Sequence, residues 1–329
     1  MKKRNTKILV SRIFPDLAVD LLEKEGFSVT SWNQDRPMTK KELISRAKNH
    51  DALLCTLTDK IDRDFLNICS HLKIISQYAV GYDNIDITEA TKLGIPVGYT
   101  PDAMSDATAD IAFGLMIAVS RKMFYLHKTI LKKQWSSFKP TANLGFELKN
   151  RTLGILGMGR IGMKMAKRCK GAYNMDIIYH SRKKNHSAEK EFNAKFVSFN
   201  DLLEQSDIIS VHCSLNEKTK GLFNKSAFNG MKKSAIFINT SRGLVHNETD
   251  LIEALNSCRI WGAGLDVTNP EPMQSDNPLL SMENVAVLPH IGSGTMEARK
   301  EMARLAALNI IEFYKNKKIP NIVNPEVFK

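Results

Sequence analysis

The chain has 329 residues, of which 43% are hydrophobic and 25% charged, and its formal net charge is +12. That balance is typical of a globular protein with room for two domains of ordinary size. No run of about 18 apolar residues predicts a membrane span, and five scattered cysteines without a C-x-x-C pair argue against a disulfide framework or a zinc site.

The positive charge does not point to a nucleic-acid partner. Lysines are spread along the chain, and no basic tail or known nucleic-acid motif accompanies them. A positive field can instead steer anionic substrates and phosphorylated cofactors. The opening segment MKKRNTKILVSRIF is too charge-interrupted for a signal peptide, so we predict a cytoplasmic protein with neither a nucleic-acid nor a membrane partner.

The first hundred residues alternate between short apolar segments and helical patterns. The apolar segments are rich in branched residues and predict strands at 7–13, 51–57, 73–78 and 95–99. Helical spacing between these strands indicates βαβ units and a parallel sheet.

The middle of the chain begins with a change of pattern. Residues 103–133 have helical spacing over a long span. This spacing predicts one long helix and allows a second helix after it. The looser stretch 134–150 contains Trp135 and Phe138.

A second alternating series follows, with the strand count of a complete doubly wound nucleotide-binding sheet. Its predicted strands are 152–156, 175–180, 207–211, 235–239, 261–266 and 285–288. Its predicted helices lie around 160–171, 199–205, 225–230 and 247–257, and a last helix covers 294–316.

These series predict an α/β fold of two Rossmann-like doubly wound parallel-sheet domains, the second inserted into the first. The outer, flavodoxin-like domain comprises residues 1–102 and 293–329, and the inserted nucleotide-binding domain comprises residues 103–292. Pro101 and the Gly292/Gly294 pair are the predicted hinges.

A glycine-rich turn opens the second series directly after its first strand. Such a turn lets the backbone approach a pyrophosphate, and the following helix N-terminus offers amides and a partial positive charge. The strand–turn–helix context therefore predicts dinucleotide binding. The turn consists of Gly157, Met158, Gly159, Arg160, Ile161 and Gly162.

The end of the next strand indicates which dinucleotide is bound. An NAD site usually carries an acidic residue about 20 residues past the turn, but this strand ends at His180, and Asp176 lies at its other end. A carboxylate would repel a 2′-phosphate, whereas an arginine fork can grip it. We therefore predict NADP(H) in preference to NAD(H), although the cluster could also be a solvated turn. The cluster consists of Ser181, Arg182, Lys183 and Lys184.

Three later motifs place chemically active side chains at strand ends. INTSRG contains Arg242, GLDVTNPEP contains Asp266 and Glu271, and LPHIGSGT contains His290. Strand C-termini meet at the ligand crevice of a doubly wound sheet, so these four side chains are expected to converge. Alone, each could be a cap, a salt bridge or a loop residue.

Together they suit the reduction of a 2-oxo acid. An arginine can bind the carboxylate and polarise the carbonyl group. A histidine can protonate the alkoxide that forms as hydride reaches C2. A carboxylate beside that histidine favours the imidazolium form and orients the ring.

With these motifs, the chain resembles the D-isomer-specific 2-hydroxyacid dehydrogenases over nearly its whole length. SRGLVHNETDL and GLDVTNPEP are closest to the glyoxylate/hydroxypyruvate reductases of that family. The resemblance implies NADPH-dependent reduction of glyoxylate and hydroxypyruvate to glycolate and D-glycerate, without a metal. It also implies that Arg242, Glu271 and His290 are catalytic and that Asp266 accepts a hydrogen bond from the nicotinamide amide.

The resemblance also implies substrate contacts in the outer domain. The segment QYAVGYDNID matches the family's carboxylate-binding segment, which assigns backbone amides of Val80 and Gly81, and CTLTDKID assigns Leu57 to the pocket wall. Arg242 and His290 complete the predicted substrate-binding set.

The predicted cofactor contacts come from the glycine turn and from the neighbouring strand ends. The full set is Thr108, Gly157, Met158, Gly159, Arg160, Ile161, Gly162, Ser181, Arg182, Lys183, Cys213, Ser214, Thr219, Thr240, Ser241, Asp266, His290 and Gly292.

The resemblance further implies a homodimer formed through the nucleotide domain. In the reductases an aromatic side chain of the partner subunit approaches the pocket, and Phe138 stands where tryptophan is expected, with Trp135 close by. This departure leaves the selectivity mechanism open.

Three other functions compete with this prediction. A 2-ketogluconate (2-keto-aldonate) reductase would share every catalytic residue and the preference for NADP. Formate dehydrogenases carry glutamine at the position of Glu271. A dinucleotide-sensing corepressor would be a binding module, against which the complete catalytic set argues.

Overall fold

The computed structural model describes residues 6–316 and 318–329. The described chain forms two compact units. One comprises the residues up to Met104 together with Gly294–Lys329, and the other comprises Ser105–Ser293.

The first unit contains a five-stranded sheet with the order β2-β1-β3-β4-β5. Every strand pair in it is parallel, and this order is that of flavodoxin-like folds. Its strands are β1 (Lys7–Val10), β2 (Ser28–Ser31), β3 (Ala52–Cys55), β4 (Ile74–Gln77) and β5 (Val97–Gly98). The helices that connect them are α1 (Leu17–Lys24), α2 (Lys40–Ala47), α3 (Arg63–Ile68) and α4 (Ile87–Lys92).

The second unit begins with two helices and continues with a seven-stranded parallel sheet. Its helices are α5 (Ser105–Ser120), α6 (Met123–Leu131), α7 (Arg160–Tyr173), α8 (His186–Phe192), α9 (Phe199–Gln205), α10 (Lys225–Gly230) and α11 (Glu248–Asn256). Its strands are β6 (Thr152–Leu156), β7 (Asp176–His180), β8 (Lys195–Phe196), β9 (Ile208–Val211), β10 (Ile236–Asn239), β11 (Gly262–Leu265) and β12 (Val285–Val287). The chain then returns to the first unit as α12 (Met296–Asn316).

The strand order of the second sheet is β12-β11-β10-β9-β6-β7-β8. Counted from β6, this is the dinucleotide-binding order 3-2-1-4-5-6 with one further parallel strand at the β12 edge. Chain order reverses direction between β6 and β9, and the crevice at such a switch point is where doubly wound sheets bind ligands.

Both sheets are covered on both faces, which explains why their inner strands are continuous apolar runs. In the first unit, Ile8 and Val10 face α1 and α12, whereas Leu9 faces the core that includes α2 and α3. In the second, Ile155 packs with α5 and α7, and Leu156 packs with α9 and α10.

The predicted fold class is confirmed. The buried strands begin and end within about two residues of the prediction, except that β1 ends at Val10, three residues before its predicted end. The sequence did not indicate β2, β8 or α8, which lie towards the edges of the two sheets. No residue of β2 or β8 is fully buried, so neither strand carries an apolar run. Within the described residues, no helix combines the length and apolarity needed to cross a membrane.

Candidate active site

The glycine turn joins β6 to α7 and leaves room for an anionic group. Gly157 has a φ of +94°, and a Cβ there would lie 2.7 Å from the backbone nitrogen of Cys213. A Cβ at Gly162 would lie 2.5 Å from the carbonyl oxygen of Gly157, so the start of α7 packs tightly on the turn. A Cβ at Gly159 would meet open space, and no side chain caps α7. The positive end of a 14-residue helix therefore faces an open cradle.

The end of β7 holds this turn in place. The backbone nitrogen of Gly157 donates to the carbonyl oxygen of His180 at 2.8 Å, and that of Met158 donates to the Ser181 hydroxyl at 2.7 Å. Asn185, which the sequence did not single out, donates from Nδ2 to the Met158 carbonyl at 2.8 Å. Ser181 thus braces the turn, and a hydroxyl that accepts one bond still has its proton to donate.

The cationic residues after Ser181 lie on the surface. Arg182, Lys183 and Lys184 are all exposed. The Lys184 ammonium lies 5.9 Å from the centre of the Phe196 ring.

The end of β9 contributes a folded loop beside the glycine turn. Thr219 closes this loop by donating from Oγ1 to the Ser214 carbonyl at 2.8 Å and accepting from the Asn216 nitrogen at 2.9 Å. Burial raises the pKa of the Cys213 thiol to about 11, so this side chain is a neutral neighbour and not a nucleophile.

The end of β10 carries Arg242, and a buried amide shapes the turn around it. Asn239 donates from Nδ2 to the Arg242 carbonyl at 2.9 Å, and its Oδ1 accepts from both the nitrogen and the hydroxyl of Ser241 at 3.0 Å. A Cβ at Gly243 would clash with the Thr268 carbonyl, so this turn lies directly against the loop that leads to Glu271. The sequence did not single out Asn239 or Gly243, because both resemble ordinary turn residues.

Two histidines near this turn are neutral. Nδ1 of His246 lies 3.1 Å from the Asn239 amide nitrogen, so it accepts that hydrogen bond. His212 lies 2.8 Å from the Ser210 hydroxyl and 3.5 Å from the Thr240 hydroxyl. Burial lowers the pKa of His246 to about 4 and that of His212 to about 3.

His290 and Glu271 form a hydrogen-bonded pair. Nδ1 of His290 lies 2.5 Å from Oε1 of Glu271, and their side chains are 25% and 42% exposed. Burial raises the pKa of Glu271, but the hydrogen bond with His290, the charges of His290 and Arg242 and a backbone hydrogen bond at Thr268 together lower it by more. Glu271 is therefore a carboxylate at neutral pH, and it leaves Nε2 of His290 for another partner.

Asp266 holds the segment that carries His290. Its carboxylate accepts from the nitrogen of Ile291 at 2.8 Å and from that of Gly292 at 2.7 Å. The His290 nitrogen donates to the Asp266 carbonyl at 2.9 Å, and the Thr108 hydroxyl donates to the Gly292 carbonyl at 3.1 Å. Burial raises the pKa of Asp266 despite these two amides and the nearby His290.

The substrate-binding residues predicted in the first unit lie at the carboxyl ends of neighbouring strands. Leu57 follows β3, and Val80 and Gly81 follow β4, which pairs with β3 in parallel. All three are partly exposed. Among the described residues, neither Val80 nor Gly81 donates its backbone amide to a hydrogen-bond acceptor.

Trp135 and Phe138 do not belong to a helix or strand. They lie between α6 and β6, and they are 71% and 87% exposed. Within the described chain, no group of three or more histidine, cysteine, aspartate or glutamate side chains could hold a metal ion.

Known proteins match both the sequence and the structure. The family model described as D-isomer specific 2-hydroxyacid dehydrogenase, NAD binding domain, matches residues 113–292. A glyoxylate reductase of Thermococcus litoralis is 43% identical over 98% of this chain and 97% of its own length, and one of Korarchaeum cryptofilum is 41% identical over the same shares.

Two solved structures of similar proteins have related activities in their names. A glyoxylate reductase from Paecilomyes thermophila has a TM-score of 0.87 at 31% identity, covering 98% of this chain and 99% of that one. An NADPH-dependent glyoxylate/hydroxypyruvate reductase from Sinorhizobium meliloti, in complex with NADP and malonate, has a TM-score of 0.85 at 25% identity, covering 98% and 97%.

The neutral histidines predict how stability depends on pH. The unfolded chain takes up a proton at each histidine near pH 6.5, whereas the folded protein resists protonation of His246 until about pH 4. The contribution of a neutral His246 to the free energy of unfolding is therefore complete above about pH 6.5, and it is lost as the pH falls towards 4. By pH 5 the loss from one such histidine is roughly 2 kcal/mol. Replacing it by His246→Gln should make the free energy of unfolding, measured with urea, fall less between pH 7 and pH 5 than in the wild type.

The urea unfolding experiments have an internal control at higher pH. Between pH 7.5 and pH 9 neither state of His246 takes up a proton, so the wild-type and variant curves should run parallel there. Curves that also run parallel from pH 7 to pH 5 would show that His246 is not held neutral.

Proposed function

Because the chain belongs to the D-isomer-specific 2-hydroxyacid dehydrogenase family, we propose that it is an NADPH-dependent reductase of small 2-oxo acids. Glyoxylate and hydroxypyruvate are the proposed substrates, and glycolate and D-glycerate are the products. The observation that carries the proposal is the His290–Glu271 pair at 2.5 Å, next to the Arg242 turn at the carboxyl ends of parallel strands.

Arg242 is the proposed anchor of the substrate. Its guanidinium carries a permanent positive charge and several donors, which suit a carboxylate and the neighbouring carbonyl oxygen. In the first unit, we assign the backbone amides of Val80 and Gly81 to the substrate carboxylate, and we assign Leu57 to the pocket wall.

His290 is the proposed acid. Reduction at C2 leaves negative charge on the former carbonyl oxygen, and Nε2 of a protonated His290 can supply the proton that neutralises it. Glu271 holds the ring through Nδ1 and, because its pKa is lowered, remains a carboxylate that can accept this hydrogen bond at neutral pH.

The glycine turn fits a dinucleotide. The open cradle at Gly159 and the uncapped start of α7 suit a diphosphate, and Asp266 and Thr108 are proposed contacts of the nicotinamide end. When bound, the nicotinamide supplies the hydride. We assign this role to residues 103–292, and the family model matches most of that range.

The preference for NADPH rests on the residues that follow β7. His180 stands at the strand end, where an NAD site usually has a carboxylate. Arg182 and Lys183 are exposed cations close to Ser181 in the sequence. A doubly charged 2′-phosphate can use both cations and the Ser181 proton, whereas the hydroxyl of NADH gains little from cations. The similar reductase of Sinorhizobium meliloti is named as NADPH-dependent and holds NADP, which supports this preference.

Self-association is the proposed quaternary state. Exposed apolar side chains lie close together in the sequence from the last residue of α6 to β6. Leu131, Trp135, Phe138 and Leu144 are each more than half exposed. A homodimer interface would cover these exposed side chains, which supports this quaternary state. The cytoplasmic location stays a prediction.

Removing the proposed acid should abolish most turnover. The substitution His290→Ala should lower kcat for glyoxylate reduction on the order of 10²–10⁴-fold, the usual range for a lost proton donor. The dissociation constant of NADPH should change far less than kcat, because His290 is only one of many proposed cofactor contacts and the glycine turn is untouched. Steady-state kinetics and a fluorescence titration measure the two quantities. The control is His186→Ala, which removes an exposed histidine on α8.

A His290→Ala variant with unchanged kcat would exclude this histidine as the acid. Loss of turnover together with loss of NADPH binding would point instead to a collapsed cofactor site.

The cationic cluster should decide between the two cofactors. The substitution Arg182→Ala should weaken NADPH binding about 10-fold or more, because it removes a charge-assisted contact to the 2′-phosphate. Binding of NADH should be unaffected. Isothermal titration of both cofactors provides the measurement, and Lys190→Ala, an exposed lysine of α8, is the matched control. Equal weakening for NADH and NADPH would refute the assignment.

A further inference from the structure

Two amide side chains of the first unit connect the loops that follow β3 and β4. Gln77, the buried last residue of β4, donates from Nε2 to the Gly81 carbonyl at 3.2 Å and to Oδ1 of Asn84 at 2.8 Å. Asn84 donates from Nδ2 to the carbonyl oxygens of Thr56 at 3.0 Å and Asp59 at 2.8 Å. We call Gln77 and Asn84 together the amide clamp.

The amide clamp uses all of its donors. A primary amide has two N–H donors and one carbonyl acceptor, and both Nε2 hydrogens of Gln77 and both Nδ2 hydrogens of Asn84 have acceptors. Oε1 of Gln77 accepts from the Cys55 thiol at 3.1 Å. Rotating either amide by half a turn would place its own carbonyl oxygen against the oxygens that now accept its hydrogens. The hydrogen-bond partners therefore fix the orientation of each amide.

The loop after β3 is itself closed on a buried carboxylate. Asp59 accepts from the nitrogen of Thr56 at 2.7 Å and from the Ser11 hydroxyl, and it is almost fully buried. This closes the turn 56–59 around Leu57. Asn84 bonds to the first and last carbonyls of that same turn, and it therefore holds the turn as a unit.

The loop after β4 is held from its other side. Gln77 fixes the carbonyl of Gly81, and the Asn84 carbonyl accepts from the Ile61 nitrogen at 2.9 Å. The amides of Val80 and Gly81 are thus presented by a loop that is bonded at both ends.

We propose that Asn84, oriented by Gln77, is a positioning residue that fixes the gap between Leu57 and the amides of Val80 and Gly81, and thereby selects small 2-oxo acids. The inference rests on the proposed function, because it assigns a role within that substrate pocket. Asn84 acts on the substrate only through the two loops.

The test compares Asn84→Ala and Asn84→Asp with the wild-type protein. Alanine removes the bonds to the 56–59 turn, and aspartate keeps the shape but turns its acceptors towards the Thr56 and Asp59 carbonyls. In both variants KM for glyoxylate should rise on the order of 10-fold or more, because the substrate contacts lose their alignment. The dissociation constant of NADPH should stay within about twofold, because the proposed cofactor contacts lie in the other unit.

Substrate selectivity provides a second kinetic readout. Releasing the 56–59 turn removes a fixed wall, so the ratio of kcat/KM for glyoxylate to that for 2-ketogluconate should fall in both variants. The matched control is Asn67→Ala, in which an exposed asparagine of the same unit loses a bond from Nδ2 to the Arg63 carbonyl at 2.9 Å. That control should change none of these quantities.

Hydrogen exchange measured by mass spectrometry tests the clamp without any turnover. In Asn84→Ala, peptides covering 56–59 and 78–84 should exchange faster than in the wild type, and other peptides of the first unit should not. Faster exchange throughout the unit with unchanged KM would reveal a merely structural residue and overturn the proposal. Unchanged exchange in both loops would overturn it as well.

The two proposals fail in different ways. A wild-type protein that reduces no 2-oxo acid overturns the proposed function, and with it the selective role of Asn84. An active wild type whose Asn84→Ala variant keeps its KM and its selectivity overturns the role of Asn84 alone.

Discussion

The buried carboxylate of Asp266 is the interaction on which the site of the second unit depends. It lies one residue past β11 and accepts from the amides of Ile291 and Gly292, so the loop after β12 is bonded to the end of the neighbouring strand. That loop carries His290, whose own amide bonds to the Asp266 carbonyl. Burial alone would favour a protonated Asp266, and the two amides partly offset that cost. The position of the proposed acid is thus set by both the carboxylate and the backbone carbonyl of Asp266, at the end of an adjacent strand.

A parallel sheet makes this convergence possible. All strand pairs around β10, β11 and β12 are parallel, so their carboxyl ends lie at one edge. The turn after β10 comes so close to the loop after β11 that only glycine fits at position 243. Three consecutive loops carry Arg242, Glu271 and His290. The charge of Arg242 helps to lower the pKa of Glu271, so these loops also interact electrostatically. Burial lowers the pKa of His212 and that of His246, so neither histidine adds a charge near the turn after β10 at neutral pH.

Much of this arrangement could be predicted from the sequence because its signals are local. Buried parallel strands are continuous apolar runs, and glycine turns and strand-end motifs occupy short stretches. The two edge strands and α8 were missed because they bury too little to produce a run. Gln77, Asn84, Asn185 and Asn239 were missed for another reason. Each is an amide in or beside a turn, where such residues are common, and its role depends on carbonyl groups several residues away that only the folded chain brings close.

The most direct test of the account is kcat/KM for glyoxylate, hydroxypyruvate and 2-ketogluconate, each with NADPH and with NADH. We expect turnover of the two small acids with a clear preference for NADPH. Turnover of 2-ketogluconate alone would contradict the proposed substrate, and a preference for NADH would contradict the role given to the residues after β7. Tight NADPH binding without reduction of any of the three acids would contradict the central claim and favour a dinucleotide-sensing protein.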